Sequence, residues 1–361
     1  MSDGTRLRAL RASMAGNGVE SLLVTHLPDV RWLCCFTGSN AALAITGNKA
    51  VLFTDGRYTV QAKQETRVAR VVIAKKSALK EACTLLESLT TRASYDPEHT
   101  TIAELSMMCS AISPKARRSL FAALQKPLIA ELRMVKDSQE LRLMENAAAL
   151  GDRVFNAVLP HIESGVAETE IAASLEFFAR SMGAEGMSFE TIVASGQRSA
   201  LPHGKASSAK TPRNGFITLD FGVILKGYCS DMTRTVCVGK VSRDERAAYE
   251  TVVEAQRAGV AAVKPGATCG EVDEAARAVL RKAGLAKYFA HSTGHGVGLE
   301  IHEAPRLAAG QTLVLKPGMV VTVEPGVYLA GKFGIRIEDM VAVTQRGNRV
   351  LTNATKTLIE L

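Results

Sequence analysis

The chain has 361 residues, of which 47% are hydrophobic and 22% charged, with a net charge of +8. That length exceeds what one hydrophobic core usually serves, and no apolar run approaches the ~18 to 20 residues that cross a bilayer, so two folded domains are expected and a membrane span is excluded. Residues 1–126 carry 17 basic and 10 acidic side chains while 127–361 carry 27 and 26, and with only 5% aromatic residues no basic block is interleaved with rings, so no nucleic-acid partner is expected.

In chain order, the charged amphipathic stretch through Leu7 to Met14 reads as a helix without the apolar core of a secretory signal, which predicts a cytoplasmic protein. The seven cysteines form no C-x-x-C pair, and reduced thiols are expected. Ser21 to Thr25 is a short buried-strand run, and Ala41 to Ile45 with Val51 to Phe53 reads as two strands around the turn Gly47-Asn48. This α/β texture ends near Pro127, where a domain boundary is expected, giving domains of 1–126 and 127–361. Asp137-Ser138-Gln139-Glu140 is a capping box opening a long helix with Leu141, Met144 and Ala148 on one face. Glu168 to Arg180, Arg243 to Lys264 and Cys269 to Ala283 read as further helices, Ser188 to Ser195 as strand, and Phe216 to Val238 and Met319 to Val343 as strand-rich hairpins. The second domain is therefore α+β.

The hairpins carry the chemistry. A turn centred between Leu225 and Lys226 would put Asp220 opposite Asp231 on one face, and two facing carboxylates repel unless a cation lies between them. Glu324 and Glu338 are likewise equidistant from Gly331, whereas Asp339 has the opposite strand parity and reads as structural. Between the hairpins, His295 is flanked by Gly294 and Gly296, which let the backbone approach a site. Four carboxylates and one imidazole suit two divalent cations with room for a bridging hydroxide. The oxygen-rich set favours Mn²⁺ or Co²⁺, with Zn²⁺ also admissible. There is no H-E-x-x-H, G-x-S-x-G or G-x-x-x-x-G-K-[ST] template, and His26, His99 and His161 carry no expectation.

Together, L-D-F-G (219–222), S-D-M-T-R-T (230–235), G-H-G-V-G-L-E-I-H-E (294–303), E-P-G (324–326) and G-I-R-I-E-D (334–339) resemble the pita-bread metallopeptidases, in their Xaa-Pro dipeptidase (prolidase) and Xaa-Pro aminopeptidase branch. Phe36 to Ser39 and Phe53 to Tyr58 look like that family's creatinase-like N-terminal domain. The resemblance implies an α/β N-terminal domain followed by an α+β pita-bread catalytic domain. It implies two metals held by Asp220, Asp231, His295, Glu324 and Glu338, with Asp231 and Glu338 bridging. It further implies that His203 and His302 bond the substrate carbonyl and the tetrahedral intermediate, and that Arg336 reaches the site. Glu324 passes the proton to the leaving nitrogen. His291 matches a histidine of the substrate site, and Arg306 matches the arginine that holds the free carboxylate of the dipeptide's proline. The expected activity is hydrolysis of Xaa-Pro dipeptides, or alternatively of longer Xaa-Pro-Xaa peptides, by a homodimer. Creatinase and the non-catalytic relatives lose the ligand acids that are all present here, and methionine aminopeptidase lacks such an N-terminal domain.

Overall fold

The alternating apolar segments of the first third fold as a six-stranded sheet in the computed structural model, which describes residues 3–361. Its strands are β1 (Ser21–Val24), β2 (Ala42–Thr46), β3 (Ala50–Thr54), β4 (Arg70–Ile73), β5 (Ala93–Tyr95) and β6 (Phe121–Ala123), in the order β4-β3-β2-β1-β5-β6. The hairpin β2–β3 turns at Gly47-Asn48 as expected, with Ile45 paired to Ala50. One face buries Leu23, Ala44, Val51 and Phe53 against Ala78, Ala82 and Leu86 of the helix Ala78–Leu89. This unit runs to Arg133, beyond the boundary expected at Pro127. The short helix Leu128–Arg133 belongs to it because Leu128 and Ile129 are buried and Arg133 Nη1 donates to the buried Asp29 Oδ1 at 2.7 Å. No described helix is long and apolar enough to cross a membrane.

The second unit, Met134–Leu361, contains four long helices, Ser138–Val158, Glu168–Ser181, Arg243–Ala262 and Cys269–Lys282. The first starts at the Asp137/Glu140 capping box, formed in both directions, and Ser242/Glu245 and Thr268/Glu271 open the third and fourth in the same way. Its strands are β7 (Gly186–Met187), β8 (Ile192–Ser195), β9 (Gly215–Phe221), β10 (Val223–Leu225), β11 (Tyr228–Cys229), β12 (Met232–Val238), β13 (Gly294–Gly296), β14 (Glu303–Leu307), β15 (Val320–Val323), β16 (Gly326–Leu329), β17 (Phe333–Arg336), β18 (Asp339–Val343) and β19 (Asn348–Val350). The two sheets that matter for the site are β12-β9-β8 and β14-β13-β15-β18-β19.

Strand parity decides what each sheet presents to its helices. Ile217, Leu219 and Phe221 of β9 pack against Leu150, Val154 and Ile171 of the first helix pair. Val321 and Val323 of β15 pack against Val263, Cys269 and Val272 at the second pair. The alternate positions, Thr218 and Asp220 on one sheet and Thr322 with Glu324 on the other, are thereby turned away from the helices. Asp339 follows the helix-facing parity, as expected. It is fully buried, with Arg234 Nη2 at 2.8 Å and Gln256 Nε2 donating at 2.8 Å. Asp339→Ala is therefore expected to cost about 3–5 kcal/mol in chemical denaturation, because it strands the buried Arg234 guanidinium. A loss below 1 kcal/mol would show that the pair is dispensable.

Candidate active site

The first carboxylate pair sits on a hairpin whose register differs from expectation. Asp220 pairs with Thr233 and Ile224 with Cys229, so the turn centres between Lys226 and Gly227 instead of between Leu225 and Lys226. Both turn residues have positive φ, 49° and 82°, as a two-residue type I′ turn requires. Asp231 thus lies diagonal to Asp220. The displacement is two residues, one full strand period, so the two acids still share a face. The second hairpin keeps the expected register: Gly326 pairs with Arg336 and Val323 with Asp339, both symmetric about Gly331. Glu324 and Glu338 lie between these two ladders, where the backbone N–H of Glu338 donates to Thr233 O and that of Glu324 to Thr293 O.

Gly294 and Gly296 flank His295 for a steric reason. A Cβ at either would come within 2.0 Å of Thr322 O or 2.2 Å of Ala304 O, so only glycine lets β13 lie between β15 and β14. The His295 Nδ1–H donates to Gly296 O at 2.9 Å, which leaves the Nε2 lone pair facing Glu324 Oε1 at 3.4 Å and Asp231 Oδ2 at 3.6 Å. Burial lowers its pKa to about 4, keeping the imidazole neutral.

The acids form one buried group. Asp231, His295 and Glu338 each present a donor atom within 4.8 Å of the other two. Burial first, and then the neighbouring carboxylates, push Asp231 and Glu338 well above the usual carboxylate range, and burial pushes Glu324 to about 8. Asp220 Oδ1 is buried without a hydrogen-bond partner among the described residues. Among the described residues one cation, Arg336, touches this set. Its Nη2 donates to Asp220 Oδ2 at 2.6 Å and its Nε to Thr233 Oγ1 at 3.1 Å, while Thr233 Oγ1 donates to Glu338 Oε2 at 2.7 Å. An orphaned carboxylate oxygen beside three acids whose charged forms burial and mutual repulsion disfavour fits divalent metal ions, which would supply the missing positive charge.

All ten expected residues line one cavity of about 580 Å³. His203 lies in the turn after Leu201, and Arg336 Nη1 holds that turn by donating to Pro202 O at 3.0 Å. His302 stands edge-on to His295, ring centroids 4.3 Å apart. Arg306 is the ladder partner of His295, so its side chain rises on the same face, and no carboxylate lies within ion-pair distance of it among the described residues. His291 lines the same cavity. Its Nδ1–H donates to Ser292 O and its Nε2 accepts from Tyr328 OH, both at 2.9 Å, and burial lowers its pKa to about 4. With both nitrogens occupied it orients Tyr328. That tyrosine, which the sequence reading passed over, also accepts from Arg336 Nη1 at 2.7 Å. Its signal was parity: Tyr328 is two strand periods from Glu324, on the same face.

Two sheets backed by helix pairs, with acids converging from both hairpins, make the second unit a metal-dependent hydrolase domain of the pita-bread type. The profile of Metallopeptidase family M24 matches residues 142–345, and that of the Creatinase/Prolidase N-terminal domain matches residues 6–135. The Xaa-Pro dipeptidase of Pyrococcus furiosus is 34% identical over 98% of this chain and 99% of its own. Among solved structures, an Xaa-Pro dipeptidase from Bacillus anthracis superposes with a TM-score of 0.95 at 39% identity, covering 100% of both chains. An X-Pro aminopeptidase from Thermotoga maritima superposes at 0.88 and 35%, covering 97% of this chain and 100% of that one. The chain belongs to metallopeptidase family M24.

Proposed function

We propose that the protein is a dinuclear Xaa-Pro dipeptidase, with Asp220, Asp231, His295, Glu324 and Glu338 as ligands and Asp231 and Glu338 shared between two ions. The observation that carries the dipeptide reading is Arg306, which shares the face of His295 at the cavity and has no carboxylate of its own there. Its planar fork suits the free carboxylate of a C-terminal proline. The oxygen-rich donor set favours Mn²⁺, with Co²⁺ and Zn²⁺ as the alternatives to test. When bound, such ions lower the pKa of a coordinated water towards neutrality and polarise the scissile carbonyl.

The chain's own groups do the rest. Glu324, oriented by the Thr322 hydroxyl at 3.2 Å, takes the proton of the attacking water and returns it to the departing proline nitrogen. His203 and His302 donate to the carbonyl oxygen as charge builds on it. The scissile nitrogen of an Xaa-Pro bond carries no N–H, so recognition falls to the ring's shape and the peptide's charged ends. The reading includes a cytoplasmic setting, supported by an odd count of seven cysteines with no C-x-x-C pair, and a homodimer, which sedimentation would test.

The decisive experiment is hydrolysis of a matched Xaa-Pro dipeptide and Xaa-Pro-Xaa tripeptide by chelator-stripped enzyme with added Mn²⁺, Co²⁺ or Zn²⁺. Metal-dependent cleavage confined to the dipeptide is expected, and cleavage of the tripeptide would make the enzyme an aminopeptidase. Arg306→Ala is expected to raise KM for the dipeptide by roughly 10- to 100-fold, the worth of a charge-assisted hydrogen bond, while sparing longer substrates. An equal effect on both would remove the anchor.

A further inference from the structure

A second group of metal-type ligands lies in the N-terminal unit, far in sequence from the M24 motifs. Strands β1 and β5 are neighbours and parallel, with Leu22 paired to Ser94 and Leu23 to Tyr95. The segments leaving their carboxyl ends carry mirrored spacings, His26-x-x-Asp29 after β1 and Asp96-x-x-His99 after β5. The carboxyl ends of adjacent parallel strands are where open α/β sheets place their ligands.

The side chains converge. Asp29, Asp96 and His99 each offer a donor atom within 4.8 Å of the other two, and the His26 ring stacks on His99 with centroids 3.7 Å apart. Each carboxylate is tied by one oxygen and aims the other at an imidazole. Asp29 Oδ1 accepts from Arg133 Nη1 at 2.7 Å while its Oδ2 faces His26 Nδ1 at 3.2 Å. Asp96 Oδ1 accepts from the Glu98 N–H at 2.9 Å while its Oδ2 faces His99 Nδ1 at 3.2 Å. Such outer hydrogen bonds hold ligands in place before an ion arrives.

We propose that Asp29, Asp96 and His99, with the His26 ring stacked on His99, bind one divalent first-row transition ion of the zinc, cobalt or nickel class in the N-terminal unit. An imidazole beside two carboxylates suits that class better than magnesium or calcium, which take oxygen ligands.

The test uses the full chain and Co²⁺ as probe. Asp231→Ala/Glu338→Ala, which removes the shared catalytic ligands, is expected to retain about one Co²⁺ per chain after desalting, with a visible absorption band. Adding His26→Ala and His99→Ala should abolish both. In the otherwise native chain, His99→Gln should lower cobalt content by one ion per chain and leave dipeptide kcat unchanged, a readout that survives if the multiple variant does not fold. No Co²⁺ in the first variant, or undiminished Co²⁺ in the histidine variants, would overturn the site and leave the proposed peptidase activity standing.

Discussion

Replacing Glu338 by alanine is expected to lower kcat/KM for an Xaa-Pro dipeptide by at least about 10³-fold and to reduce bound metal measured on the same sample. The size follows from the several kcal/mol of transition-state stabilisation that a metal centre supplies, at 1.36 kcal/mol per tenfold. Glu338 stands out among the acids because its carboxylate closes a chain of contacts across both sheets. Thr233 donates to it, Arg336 donates to Thr233, and Arg336 also holds Asp220 and the Pro202 carbonyl beneath His203. Alanine removes a proposed ligand and frees Thr233 Oγ1, loosening the group that positions the opposite acid. Glu338→Gln keeps an acceptor for Thr233 and should restore stability more than activity. Full metal content with activity within tenfold of the parent would take Glu338 out of the ligand set.

That the five expected ligand side chains share one cavity was readable because strand parity has a period of two and tolerates errors of whole periods. The turn after Leu225 was misplaced by one residue, which shifts the register by two, since Lys226 is an uncommon residue at positive φ and gave little sign of the type I′ turn. The face nevertheless came out right. What parity alone does not reveal is the partner of a polar atom. His291 lies four residues before His295 in either reading, and only the fold shows that Tyr328 and Ser292 occupy its ring. Tyr328 itself looked like core because it sits in an apolar strand. The domain boundary slipped for a different reason: Arg133 joins the first unit through Asp29, 104 residues away, and no local pattern records such a contact.

Metal removal should make stability depend on pH in a direction set by the acids. Asp231, Glu324 and Glu338 have folded pKa values above their unfolded ones, so the folded metal-free chain binds more protons than the unfolded chain. Their contribution is complete below about pH 4, and it is lost as pH rises through the folded values, about 8 for Glu324. His291 and His295 act oppositely, with folded values near 4 against 6.5 unfolded, so their contribution is lost as pH falls from 6.5 towards 4. Above 6.5 the histidines no longer oppose the acids, and the decline should be steepest there. Glu324 alone then costs up to about 1.4 kcal/mol per pH unit. The chelated protein's Tm should drop by at least about 3 °C between pH 6.5 and 8, taking about 2–4 °C per kcal/mol. Loading with Mn²⁺ should flatten the curve by holding the acids ionised, and Glu324→Gln should reduce the slope. A chelated protein with constant Tm across that interval would mean that the carboxylates do not repel one another, and the case for two cations between the sheets would lose its electrostatic basis.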